Sequence, residues 1–115
     1  MKYQKHIFIC VNEREPTNPK RSCGLCGGWD IRMEFVRLIN QHGLKGKVRA
    51  NKTGCLDACE LGPALVIYPN GYWYTGVKKE NVKTIFEHSV LKDDSVDELI
   101  ADESIWDQLK KIRSR

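Results

Sequence analysis

Apolar positions along this chain fall into short runs set between charged and turn-forming residues. Ile7 to Val11, within HIFICV (6–11), is an unbroken apolar stretch of strand length, the pattern of a short buried strand. A helical period takes over in WDIRMEFVRLINQHG. Ile31, Phe35, Leu38 and Ile39 recur on one face, while Arg32, Glu34 and Arg37 fall mostly elsewhere, and His42 with Gly43 suits the helix end. KVRANK (47–52) predicts a further short strand and ALVIYP (64–69) a buried one. Asn70-Gly71 then separates ALVIYP from YWYTGV (72–77). That dipeptide is a hairpin signal, because a type I′ turn asks for positive φ at both central positions. ENVKTIFEHSV predicts a second helix with Val82, Ile85, Phe86 and Val90 on one face.

The order strand, helix, strand, hairpin, helix implies a parallel pair followed by an antiparallel one. The expected fold class is therefore α/β: a mixed sheet of about four strands with two packed helices. Residues 93–115 read as a C-terminal helical extension to a domain spanning 1–92. Ser95 and Glu98 have the spacing of a capping box, ahead of Val96, Leu99 and Ile100. Ser104 is placed to start a second tail helix carrying Ile105, Trp106, Leu109 and Ile112.

The chain has 115 residues, suited to one domain. No apolar run approaches the roughly 20 residues of a membrane span. The charged close of the N-terminal stretch gives no sign of a secretory signal, so a cytoplasmic, membrane-free protein is expected. Net charge is +4. It is uneven: residues 1–60 carry 11 Lys+Arg against 6 Asp+Glu, and residues 61–115 carry 8 against 9. No basic cluster interleaves with aromatics, which argues against nucleic acid as a partner. The basic half reads as a solvated surface or a docking face for an acidic partner.

Cysteine count changes the picture more. Five cysteines in a chain without a secretory signal are expected to stay reduced, which favours metal binding or redox chemistry over a disulfide framework. Cys10, Cys23, Cys55 and Cys59 are spaced C-x12-C-x31-C-x3-C, with Cys26 in addition. Four thiolates can hold a tetrahedral zinc or the two irons of a 2Fe–2S cluster. Structural zinc sites usually draw on two close cysteine pairs, whereas only Cys55 and Cys59 are locally paired among these four. A third reading takes Cys23-Gly24-Leu25-Cys26, just ahead of a helix, as a dithiol–disulfide redox site. The long loop 12–28, rich in proline, glycine and charge, is of a length that compact domains usually reserve for function.

Four stretches, HIFICVN, SCGLCGG, NKTGCLDACELGPALVIYPNGYWY and VKKENVKTIFEH, resemble the thioredoxin-like 2Fe–2S ferredoxins, small bacterial electron carriers. They are also similar to the small iron–sulfur subunit of NADH dehydrogenases. The likeness covers roughly residues 4–90. It implies a thioredoxin-like sheet, one 2Fe–2S cluster per chain, redox partner proteins, a homodimer, and electron transfer rather than an enzyme's chemistry. It also implies a ligand set, with Cys10 and Cys23 on one iron and Cys55 and Cys59 on the other. Cys26 and the C-terminal extension have no counterpart in the family pattern.

Overall fold

The structure, a computed structural model, describes residues 3–11, 27–54 and 62–114, the side chain of Arg113 excepted. Four strands form one sheet in the order β2-β1-β3-β4: β1 (Lys5–Cys10), β2 (Val48–Thr53), β3 (Leu65–Tyr68) and β4 (Tyr72–Tyr74). β1 runs parallel to β2 and antiparallel to β3, and β3 runs antiparallel to β4. The mixed sheet expected from the apolar pattern is the sheet observed.

Side chains alternate across a strand, so the sheet sorts its residues into two faces. Ile7, Ile9, Val48, Ala50, Leu65, Ile67 and Tyr74 join one core cluster. Onto this face packs α1 (Trp29–Gln41), through Ile31, Phe35, Leu38 and Ile39. Each such side chain, once buried, contributes about 1.5–3 kcal/mol of transfer free energy. The helix stops where expected: His42 Nδ1 lies 2.9 Å from the Leu38 carbonyl oxygen, and Gly43 takes φ +65°, which glycine adopts without a Cβ clash.

α2 (Val82–Ile85) packs on the same face. It is entered through a 3₁₀ turn (Lys79–Asn81), where the Asn81 side-chain oxygen accepts the Lys78 N–H at 2.9 Å. It leaves through a π-helical turn (Phe86–Val90). The wider turn lets Phe86, Ser89 and Val90 all face inward. Ser89 donates to the Asp94 carbonyl at 2.8 Å, which leaves Tyr74 to donate its own hydroxyl to Ser89 Oγ. The same Tyr74 oxygen accepts the Val96 N–H at 3.0 Å. A fully buried tyrosine thus ties the tail to the sheet.

The hairpin forms, but not as a type I′ turn. Gly71 has φ +75°, and Asp93 is the sole non-glycine residue with positive φ among the described residues, so Asn70 keeps an ordinary backbone. The turn starts earlier, at a cis Tyr68–Pro69 bond, and closes with Gly71 N–H on the Ile67 carbonyl at 2.8 Å. Gly62–Pro63 is also cis.

The tail departs from expectation in its first half. Ser95 caps no helix; its hydroxyl donates to Asp97 at 3.0 Å. Residues 96–100 make a single turn, in which the Val96 carbonyl accepts both Leu99 and Ile100 N–H groups at 2.9 Å. Ile100 then pairs antiparallel with Tyr74, and Ala101 N–H reaches the Trp73 carbonyl at 2.8 Å. The free edge of β4 satisfies these backbone groups, and the buried Val96 anchors the turn, so helix has no advantage there. The second half is helical, α3 (Glu103–Arg113), capped by Asp102 rather than opened by Ser104. Asp102 Oδ1 accepts Ser104 N–H at 3.0 Å and Ile105 N–H at 3.3 Å. α3 lies on the sheet's second face: Trp106 and Leu109 cluster with Ala64, and the Trp106 ring meets Trp73 edge-on at 5.5 Å.

Candidate metal centre

Cys10 closes β1 and is fully buried. Its register partner on β2 is Thr53, two residues before Cys55 in the chain. The Cys10 N–H donates to the Ala64 carbonyl at 3.2 Å, which ties it to the segment leading from Cys59 into β3. The next amide, Val11 N–H, donates to the Thr53 carbonyl at 3.0 Å. α1 begins three residues after Cys26, and its first residue, Trp29, carries the Lys52 ammonium 5.5 Å from its ring centroid. So the described flanks of all three cysteine-bearing segments meet at one end of the sheet, around Cys10. A run of four strand and helix ends converging on a buried thiol is the layout that a multi-cysteine centre needs.

Cys23, Cys26, Cys55 and Cys59 themselves lie outside the described residues, as do Asp57 and Glu60. Among the described residues no group of three or more metal-ligating side chains is found. The cysteine spacing and the convergence of the flanks fit a cluster held by four thiolates. Because the Cys10 and Val11 amides are engaged with carbonyl oxygens, neither is free to tune a sulfur.

Two of the histidines, His6 and His42, are engaged with neighbouring rings. His6 lies between Tyr3 and Phe8 rings at 5.0 and 5.5 Å, and the His42 ring lies tilted against Phe86 at 5.0 Å. Trp73 and Tyr74 are taken up by Trp106 and by the Ser89 network. One feature of this end escapes sequence reading. Arg32, on an outer helix face by periodicity, donates its Nε–H to the Ala50 carbonyl of β2 at 3.3 Å. That pairing depends on how α1 lies against the sheet, so no local signal marks it.

No family model matches the chain. Two curated relatives do: a 2Fe–2S ferredoxin of Aquifex aeolicus, 36% identical over 97 residues, spanning 84% of this chain and 87% of the relative; and one of Clostridium pasteurianum, 32% identical over 85 residues, spanning 74% and 83%. The crystal structure of the wild-type thioredoxin-like 2Fe–2S ferredoxin from Aquifex aeolicus superposes with a TM-score of 0.82 at 34% identity, covering 88% of this chain and 99% of that one. A cysteine-to-serine variant of the same protein gives 0.79 at 36% identity, covering 86% and 99%. These likenesses favour the ferredoxin reading over the dithiol oxidoreductase and the zinc module. The four-stranded mixed sheet with its helices is a thioredoxin-like fold, and the chain belongs to the thioredoxin-like 2Fe–2S ferredoxins, a family of electron carriers.

Proposed function

We propose that this chain is a one-electron carrier that holds a single 2Fe–2S cluster through Cys10, Cys23, Cys55 and Cys59. Cys10 and Cys23 take one iron and Cys55 and Cys59 the other. The observation that carries the reading is the meeting, at the buried Cys10, of the described flanks of the cysteine-bearing segments. Bound there, the cluster supplies a centre that accepts and releases one electron. The chain's own part is to present thiolates from a rigid strand end and to exclude water. Cys10 is itself fully buried, and its neighbours Ile9, Ala64 and Leu65 are buried with it. The protein acts on other redox proteins rather than on a substrate of its own, and it works in the cytoplasm. No helix among the described residues is long and apolar enough to cross a membrane.

Residues 1–92 form the ferredoxin domain, with 93–115 as an extension docked on it. Two copies associate through the half of the sheet's second face that α3 does not cover. Support comes from a strip of rings there: Tyr3, His6, Phe8 and the exposed Tyr68 follow one another at 5.0, 5.5 and 6.0 Å. Exposed apolar strips of this kind mark interfaces.

The absorption spectrum of the purified protein tests the central claim. Visible bands that bleach with dithionite are expected, and Cys10→Ala should lose them, because among the described residues no other thiol stands at that strand end. A colourless protein holding zinc, or a full cluster in Cys10→Ala, would overturn the assignment. Light scattering at micromolar concentration should return twice the monomer mass; a monomer would remove the dimer.

A further inference from the structure

Two adjoining grooves run along β2, the open edge of the sheet. Arg32, Arg49 and Lys52 line the first, with Phe8, Asn51 and Thr53. The second shares Arg32 and Arg49 and adds Lys45. Among the described residues, no aspartate or glutamate lines either groove. The register sets Lys52 opposite Ile9 and Thr53 opposite Cys10, so the cationic grooves end one strand spacing, about 5 Å, from the buried cysteine. We propose that this surface docks an acidic redox partner protein. The proposal rests on the electron-carrier reading and names the kind of partner that the carrier meets.

Three features carry it. The guanidinium groups are held in place before any partner arrives: Arg32 by the Ala50 carbonyl and Arg49 by the Asn51 side chain. A held side chain loses less rotamer freedom on binding. Next, Trp29 and Met33, 40% and 55% exposed, stand beside these cations, with Lys52 over the Trp29 ring. Arginine, tryptophan and methionine together are the residues enriched in protein interfaces. Last, no acid among the described residues lines the grooves, so the charged side chains that line them are all cationic and suit an anionic surface docking beside the end that holds Cys10. Cations also guard open sheet edges against self-pairing. That duty accounts for Arg49 but not for Arg32, which comes from a helix. The like charges equally oppose a second copy of this chain at the same edge.

Titration of the full-length protein with poly-L-glutamate, followed by tryptophan fluorescence, tests the surface whether or not a cluster is present. Wild-type protein should bind in a salt-sensitive way. Arg49→Glu with Lys52→Glu should weaken binding about tenfold or more, and the milder Arg49→Gln with Lys52→Gln about threefold. Lys83→Glu with Lys92→Glu makes the same change of net charge elsewhere and should stay within about twofold of wild type. Circular dichroism confirms that each variant is folded. Equal binding by the Arg49/Lys52 pairs, or equal loss in the Lys83/Lys92 pair, overturns the proposal. So does an oligothymidylate that binds more tightly than polyglutamate and is weakened by the same pair, which makes the groove a nucleic-acid site. A wild-type protein without dithionite-bleachable bands fails the carrier reading alone, and the titration still decides the surface.

Discussion

Tyr74 carries more of the structure than its place in a three-residue strand suggests. Its ring belongs to the main core, and its hydroxyl serves both Ser89 and the Val96 amide. Tyr74→Phe keeps the ring and strands a buried N–H, so it should cost about 1–3 kcal/mol in denaturant unfolding. The change should also loosen residues 93–101, which hydrogen exchange would reveal as faster exchange at Val96. A change below about 0.5 kcal/mol would show that water takes over the lost partner. On the proposed ligand set, Cys26 is the spare thiol, three residues from Cys23 on a glycine-rich stretch of sequence. Cys26→Ala should leave the cluster spectrum unchanged. Cys23→Ala should still assemble a cluster with an altered spectrum, through Cys26, and only the double change should lose it. Loss in Cys26→Ala alone would reverse the ligand assignment.

At the scale of elements, what could be read from sequence depended on whether local pattern and tertiary demand agreed. They agree in α1, where Ile31, Phe35, Leu38 and Ile39 have one face and one sheet to bury against. They agree in β1 and β3, whose continuous apolar runs leave little choice. They disagree at Ser95, where a capping pattern loses to the open edge of β4, because Ile100 and Ala101 find strand partners there. The cysteine spacing was legible because four thiols and their chain distances are local facts. The cationic groove was not, because it arises only when the β1–β2 register and the tilt of α1 bring Arg32, Arg49 and Lys52 together. α3 offers a test of its own cap. The hydroxyl of Ser104, then the Ile105 and Ser104 amides, hold the Asp102 carboxyl below the usual aspartate range. A depressed carboxylate stabilises the fold at pH above its unfolded value and loses that contribution as pH falls through its folded one. The start of α3 should therefore fray below about pH 4, read as a red shift of Trp106 emission as it leaves Trp73. Asp102→Asn, which can still accept from the amides, should flatten that pH dependence. An unchanged profile would remove Asp102 as the cause.

For the whole molecule, the extension is what makes the sheet asymmetric. α1 and α2 cover one face, α3 covers the β3–β4 half of the other, and the aromatic strip and basic edge remain. Truncation after Ala101 should uncover Trp73 and Ala64, lower the unfolding midpoint and raise self-association in light scattering. A truncated chain as stable and as soluble as the full one would mean that α3 is merely adjacent.

The Ile100–Tyr74 bridge has a further effect. A sheet that can add strands on both sides can grow without limit, as fibres do. Here one side is terminated by the chain itself, so addition through β2 stops at a pair, and that pair would bring two copies of the basic edge together. The molecule is in effect a chain terminator for its own edge-to-edge polymerisation.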